Sequence, residues 1–420
     1  MLDIKFIRDN KDLVAEAARK KHINFDVETL LAVDMRRLEI LAKVEEMRAR
    51  QNKASKDIIA AKDATLRQSL IGEMKALKDE LGRFENQLKD IMKEWQLLML
   101  AVPNVPDMSV PEGTSDADNK EVRRWGELPE FSFSAKSHIA LMEVFDMADF
   151  ARGAKSAGFR GYFLKGYGAI LSFAIWRLIL DELVLKGFTP MIAPSLVRRE
   201  AFLGTGYLPH GEEDLYKTQD GDFLSGTAEV PTMAYYMDEV IPMEALPKKF
   251  VSFSPCFRRE AGSHGKDTKG LMRVHEFFKL EQVVLCEANH EISVEHHEEL
   301  TLNAEAFMQK LEIPYRVVLN CGGDLGLGQV KKYDIEAWVP SENTYRETHS
   351  SSYFHDFQTR RLNIKYRDAG GTLRFAHSLN NTAIATPRIL ISLIENHQQA
   401  DGSIKIPEAL QKYVGKDVLS

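Results

Sequence analysis

The residues best equipped for chemistry lie in FRREAGSHGKDTKGLMRVHEFFKLEQ, residues 257–282. Arg258 and Glu260 are two apart, so on an extended strand they share one face. A loop with Gly262, Gly265 and Gly270 follows, carrying Lys266 and Lys269, and then come Phe277 and Glu281. The pattern reads as strand, polar loop, strand. A guanidinium offers a planar fork suited to phosphate or carboxylate, and an aromatic ring can stack on a purine. The chain has neither GxxxxGK[ST] nor a GxGxxG opening a helix. A nucleotide bound here would therefore be gripped by arginines and by carboxylates holding a metal. By residue type alone, Arg258 with Glu260 also fits a surface ion pair, and Glu281 a half-buried ion-pair partner. Both alternatives stay open at this point.

Other chemically tempting groups read more plainly. Asp334 and Glu336 in KYDIEAWV share a sheet face, as paired carboxylates of a glycosidase would, or as support behind another site. His296 and His297, near glutamates, fall on a predicted solvated helix, and no zinc is expected there. Cys256, Cys286 and Cys321 are odd in number, widely separated and without CxxC spacing, which predicts free buried thiols.

The elements that must position these groups begin after a long helical stretch. Leu70, Met74, Leu77, Leu81, Phe84, Leu88, Ile91, Trp95 and Leu98 repeat in steps of four and three, the seam of a coiled coil. Residues 29–64, with Leu31, Leu38, Leu41, Val44 and Met47, supply the partner, and a turn near Lys62–Arg67 makes an antiparallel hairpin. Pro103, Pro106, Pro111 and Gly113 mark an irregular linker over 102–130. Helices are expected at about 138–155 and 168–187. Short β-branched or aromatic runs follow at 250–257, 282–286, 316–320, 332–339, 362–367 and 373–380. A helix separates them only near 290–311, which predicts a mainly antiparallel sheet. Ala383–Gln398 reads as one long helix. The fold class is α+β: residues 1–105 as a helical domain with its coiled-coil arm at about 29–99, and 106–420 as the domain carrying the chemistry.

At 420 residues, 44% hydrophobic, the chain can build two cores. No apolar run reaches the ~20 residues of a membrane span, and the charged N-terminus does not read as a signal peptide. A cytoplasmic location without membrane partners is expected. The net charge of −7 does not advertise a nucleic-acid binder. From Met35 to Arg67, however, nine basic residues stand against five acidic. That bias fits either a solvated coiled-coil face or a contact with an RNA backbone.

These blocks together resemble the seryl-tRNA synthetases. Residues 257–282 look like the second class II synthetase motif (Phe-Arg-x-Glu, a loop, then an aromatic and a Glu). GTAEVP (226–231) resembles the family's serine-binding loop. TGYLPHGEEDLY (205–216), YRETHSS (345–351), DFQTRRLNIKYR (356–367) and SLNNTAIATPRILISLIENHQ (378–398) resemble further family stretches in order, and the hairpin resembles its tRNA-binding arm. The first class II motif falls at about Ile175–Pro194. The third departs from the general class II pattern in having Pro387, not glycine, before Arg388.

The resemblance implies serine–tRNA ligase activity: seryl-adenylate formation, then transfer to the terminal adenosine of tRNA(Ser); whether tRNA(Sec) is a further cargo stays open. It implies a serine pocket of Thr227, Ala228, Glu229, Arg258, Glu281, Asn380 and Thr382. ATP would meet Arg258, Arg259, Glu260, Val274, Phe277, Glu347, Thr348, His349, Ser350 and Arg388. Arg258 and Arg388 would be catalytic, and Glu347 and Ser350 would hold Mg²⁺. A homodimer is implied as well. Two alternatives stand beside this reading: a class II paralogue that loads a small amino acid onto a carrier protein, and a catalytically inactive RNA-binding paralogue.

Overall fold

The computed structural model describes every residue except 263, 264 and 266, so Lys266 lies outside the described residues. The chain divides into two compact units. One comprises Leu2–Arg19 and Ile23–Pro103, and the other Met1, Lys20–His22 and Asn104–Ser420.

The first unit is dominated by two long antiparallel helices, α1 (Val27–Ala60) and α2 (Ala64–Ala101). Asp26 and Asp63 cap them by accepting from the Glu28 and Leu66 amides. The Asp63 cap starts α2 at Ala64, so the turn is shorter than the expected 62–67. Val44, Met47 and Leu81 are buried in the seam, flanked by Ile40, Leu77, Phe84 and Leu88. Buried Asp34 receives both Arg8 and Arg37, and Arg37 lies 4.8 Å over the Trp95 ring. No residue from 48 to 80 is buried. A two-helix seam has only one side to cover, so its distal part stays wet.

The second unit is built on an eight-stranded sheet: β1 (Lys120–Trp125), β2 (Thr189–Ile192), β3 (Lys248–Phe257), β4 (Glu276–Cys286), β5 (Tyr315–Leu319), β6 (Lys331–Val339), β7 (Thr344–His355) and β8 (His377–Thr386). Their order is β1-β5-β6-β7-β8-β4-β3-β2, antiparallel throughout except the β2–β3 pair. Helices α3 (Tyr167–Leu185), α4 (His290–Lys310) and α5 (Arg388–Asn396) contribute to the main core against one face. There Leu280, Val284, Leu379, Ile384, Ile335 and Tyr353 meet residues such as Ile175, Phe307 and Ile391. The other face is polar at its centre.

Several expectations are corrected. Ala383–Gln398 is not one helix: β8 runs to Thr386, and α5 starts at Arg388. Pro387 explains the break, because proline disfavours helical backbone in the residue before it while suiting a helix start. Residues 102–130 contain the edge strand β1, and 138–155 breaks into His138–Val144 and Phe150–Ala157 around a short strand pairing with Phe163–Leu164. Of 362–367 only Lys365–Arg367 is extended, in a small sheet parallel to Val240–Pro242. Arg258 and Glu260 do not share a strand face, since β3 ends at Phe257 and Glu260 turns into the left-handed region at φ 55°. His297 is buried rather than solvated, stacked 5.0 Å from Tyr333 with Nε2 on the Ser351 carbonyl at 3.0 Å.

Candidate active site

Cross-strand pairing decides which side chains reach the polar face. Glu281 opposes Thr382 because Ala383 bulges from β8; in unbroken register Thr382 would point into the core. A second bulge, at Thr348, separates the pairs Glu336–Glu347 and Ile335–His349. It brings Glu347 and Ser350 onto one face although they are three apart, opposite Glu336 and Asp334. His349 falls on the reverse face, where burial holds its imidazole down at about 4.

A cleft opens on this face, lined by Arg258, Glu260, Val274, Phe277, Glu347, Thr348, Thr382 and Arg388 among others. Arg258 leaves β3, donates from Nε to the Gly226 carbonyl at 3.3 Å, and lies 5.2 Å over the Phe277 ring. Arg388 opens α5. Its Nε donates to the Met272 carbonyl at 3.1 Å and its Nη1 to the Glu347 carbonyl at 2.8 Å, with the Glu347 carboxylate 4.0 Å away. Glu260 pairs with Arg273 at 2.6 Å. The loop bearing Met272, Arg273 and Val274 is anchored from behind: His138 Nδ1 sits 3.1 Å from Glu395 of α5, and its Nε2 accepts from the Leu271 amide at 3.3 Å. Gly270 passes so close to that ring, at φ 75°, that a Cβ would lie 2.3 Å from His138 Nε2.

At the other end of the cleft the Lys279 ammonium meets the Glu281 carboxylate at 2.5 Å, and the Thr382 hydroxyl lies 3.4 Å from each. Thr227 and Ala228 are buried at the start of the short helix Glu229–Ala234. The Thr227 hydroxyl accepts from the Glu229 amide at 3.2 Å. The Glu229 carboxylate receives Tyr207 at 3.1 Å and Gln358 at 2.7 Å. Burial, then the charge of Glu281, raises its pKa to about 7. Asn380 is two pairs further along β8, opposite Val283 and Ser352. Two predicted residues stay apart: Arg259 is exposed, with Nη1 on the Glu213 carbonyl at 3.0 Å, and the His349 side chain faces the core.

Comparison with known proteins accounts for both units. Residues 1–106 match the seryl-tRNA synthetase N-terminal domain, and residues 216–397 match the tRNA synthetase class II core domain (G, H, P, S and T). The serine–tRNA ligase of Deinococcus radiodurans is 47% identical over 99% of this chain and 98% of its own length. The chain belongs to the seryl-tRNA synthetase family. It is a class II aminoacyl-tRNA synthetase of the serine–tRNA ligase type. Crystal structures agree across the full length. Seryl-tRNA synthetase from Pyrococcus horikoshii, complexed with ATP, superposes with TM-score 0.91 at 38% identity, covering 100% of this chain and 99% of that one. The cytoplasmic serine–tRNA ligase of Naegleria fowleri, in complex with AMP, gives 0.87 at 31% identity, covering 100% and 99%. The carrier-protein and inactive-paralogue alternatives find no counterpart among these relatives.

In and around this cleft lie groups that the motif reading passed over: Arg273, Lys279, Tyr207 and Gln358. A signal for Lys279 existed, since Phe277, Lys279 and Glu281 alternate on β4. Tyr207 and Gln358 come from distant segments that no local pattern joins to Glu229.

The cationic end is electrostatically tense. Burial, with the charges of Arg258 and Arg273, holds Arg388 below its ordinary pKa, against the pull of Glu347. Beside it, Glu347 and Ser350 offer hard oxygen donors on one face, and Asp334 Oδ1 is buried with no hydrogen-bond partner among the described residues. Burial, opposed by Lys332 and reinforced by Glu347, raises the Asp334 carboxyl to about 6. No group of three or more His, Cys, Asp or Glu among the described residues is arranged to hold a metal by itself. One carboxylate and one hydroxyl, with the remaining positions left to phosphate and water, suit Mg²⁺.

Proposed function

We propose that this cleft forms seryl-adenylate from serine and ATP, and that the chain then passes the seryl group to the 3′ terminal adenosine of tRNA(Ser). The observation that carries the reading is the meeting of Arg258, Arg388 and Phe277 in one cleft that also contains Thr382, beside Glu281. In this reading a serine carboxylate oxygen attacks the α-phosphorus, the bond to the bridging oxygen breaks, and pyrophosphate leaves. The carboxylate is already ionised, so no general base is needed; placement and charge neutralisation are. Arg258 serves the α-phosphate and the serine carboxylate, and Arg388 the γ-phosphate. Phe277 stacks on adenine while the Val274 backbone reads its edge. Glu260 sits at the adenosine end. Arg259, Thr348 and His349 belong to the same nucleotide-binding segments. Glu347 and Ser350 hold Mg²⁺, which when bound neutralises phosphate charge. Thr227, Ala228, Glu229, Glu281, Asn380 and Thr382 receive serine.

Around this site we assign residues 1–105 to tRNA binding, through the basic stretch of α1, and 106–420 to catalysis, with tRNA(Sec) as a further cargo. A homodimer is supported by apolar side chains left in water on α3 and β2, among them Phe173 (66% exposed), Leu185 (85%) and Ile192 (86%). Among the described residues no helix is long and apolar enough to cross a membrane; a cytoplasmic location is proposed. The test is ATP–pyrophosphate exchange across all twenty amino acids. Serine alone should support exchange above background by about 10²-fold or more, and a different preferred amino acid would overturn the assignment.

A further inference from the structure

Acceptors for a serine hydroxyl are easy to find in the cleft, and among the residues assigned so far the Asn380 amide nitrogen, buried without a partner among the described residues, lies two strand pairs from Glu281; the donor in contact with both Glu281 and Thr382 is Lys279. A hydroxyl both donates and accepts. Glu281, as a carboxylate, can only accept, and burial raises its pKa against the opposing charge of Lys279. Thr382 turns its own hydroxyl toward Glu281 at 3.4 Å. Lys279 is 5% exposed and lines the cleft. Its ammonium has three N–H donors. Glu281 takes one at 2.5 Å and Thr382 another at 3.4 Å. One N–H remains on the side chain that touches both assigned pocket residues. A buried ammonium is costly unless every donor is engaged, and a substrate oxygen is the partner that completes it.

We propose that Lys279 is the donor half of hydroxyl recognition and Glu281 the acceptor half, so that Lys279 determines specificity for serine over amino acids lacking a hydroxyl. This rests on the serine-activating reading above. Serine satisfies both members of the pair at once. Alanine, of nearly the same size, leaves a buried ammonium and a buried carboxylate each one hydrogen bond short. A site built this way can discriminate by on the order of 10⁴-fold. The role differs from that of Arg258 and Arg388, whose partners are anionic, and it places Lys279 in contact with substrate without any part in the phosphoryl step.

The test compares kcat/KM for serine and for alanine in ATP–pyrophosphate exchange, for wild type, Lys279→Met and the double variant Lys279→Met/Glu281→Gln. Lys279→Met keeps the unbranched stem, one atom shorter, and removes its donors. The double variant removes both buried charges and covers the case in which Glu281 alone prevents folding. Both are expected to lower the serine-to-alanine ratio by at least about 10²-fold while KM for ATP stays within about threefold. A merely structural lysine would impair both amino acids and ATP together and leave the ratio intact. A wild-type ratio in either folded variant overturns the proposal. Wild-type enzyme without serine-dependent exchange would instead refute the reading beneath it.

Discussion

The two ends of the cleft solve opposite electrostatic problems. At one end Arg258, Arg273 and Arg388 crowd together, balanced in part by Glu260, by Asp267 on Arg273 and by Glu347. At the other, Glu229 and Glu281 share a single ammonium, Lys279, with hydroxyls and amides around them. Excess cation suits a polyphosphate whose charge shifts during reaction, because donors fixed in advance need not reorganise. Excess carboxylate, deeply buried, suits a small zwitterion that arrives with an ammonium and a hydroxyl. Arg258 belongs to both. It touches Gly226 in the loop leading to Thr227, and it covers Phe277. On the proposed reading the contrast predicts that rate and selectivity are separable in this site: one end should be open to damage without the other.

The largest effect should come from the residue that spans the two ends. Arg258→Ala is expected to lower kcat/KM for serine-dependent exchange by on the order of 10³-fold, with both substrates bound more weakly. Exchange within tenfold of wild type would show that the two ends do not meet at this guanidinium. A step smaller, and confined to one end, is Glu281→Ala. Removing the acceptor should raise KM for serine by about 10²-fold or more and leave ATP affinity, followed by equilibrium titration, nearly unchanged. Equal losses for serine and ATP would erase the separation between the ends.

How much of this could be read from the chain varies with how local the cause is. The hairpin seam and the strand–loop–strand of residues 257–282 were legible because each follows from a period within one segment. Strand β7 was not, since RETHSSSY lacks the usual apolar alternation: its inward face is the polar floor of the cleft. Arg258 and Glu260 meet the cleft through a turn rather than a strand face, which period-two reasoning cannot foresee. The bulges at Thr348 and Ala383, which set which side chains face the cleft, arise from pairing between distant strands. The Glu229 contacts with Tyr207 and Gln358 likewise depend on tertiary packing alone.

The smallest predicted effect isolates the carboxylate end without any catalysis. Burial raises the Glu229 carboxyl from an ordinary 4.5 to about 7 in the folded protein. Below about pH 4.5 both folded and unfolded chains hold the proton, and the group has no effect on stability. As pH rises from 4.5 to 7 the unfolded chain releases it while the folded chain retains it, so unfolding becomes progressively easier, by up to about 3 kcal/mol, and then levels off. Glu229→Gln keeps an acceptor for Gln358 and removes the titration. The variant should therefore gain on wild type steadily between pH 5 and 7.5, a difference readable as a growing gap in urea midpoints over that range. The same substitution removes a negative charge that would face the serine ammonium, so stability above pH 7 should improve as serine affinity falls. A gap that stays constant with pH would mean that Glu229 is ionised in the folded chain throughout, and that the two carboxylates are tolerated together without help from a proton.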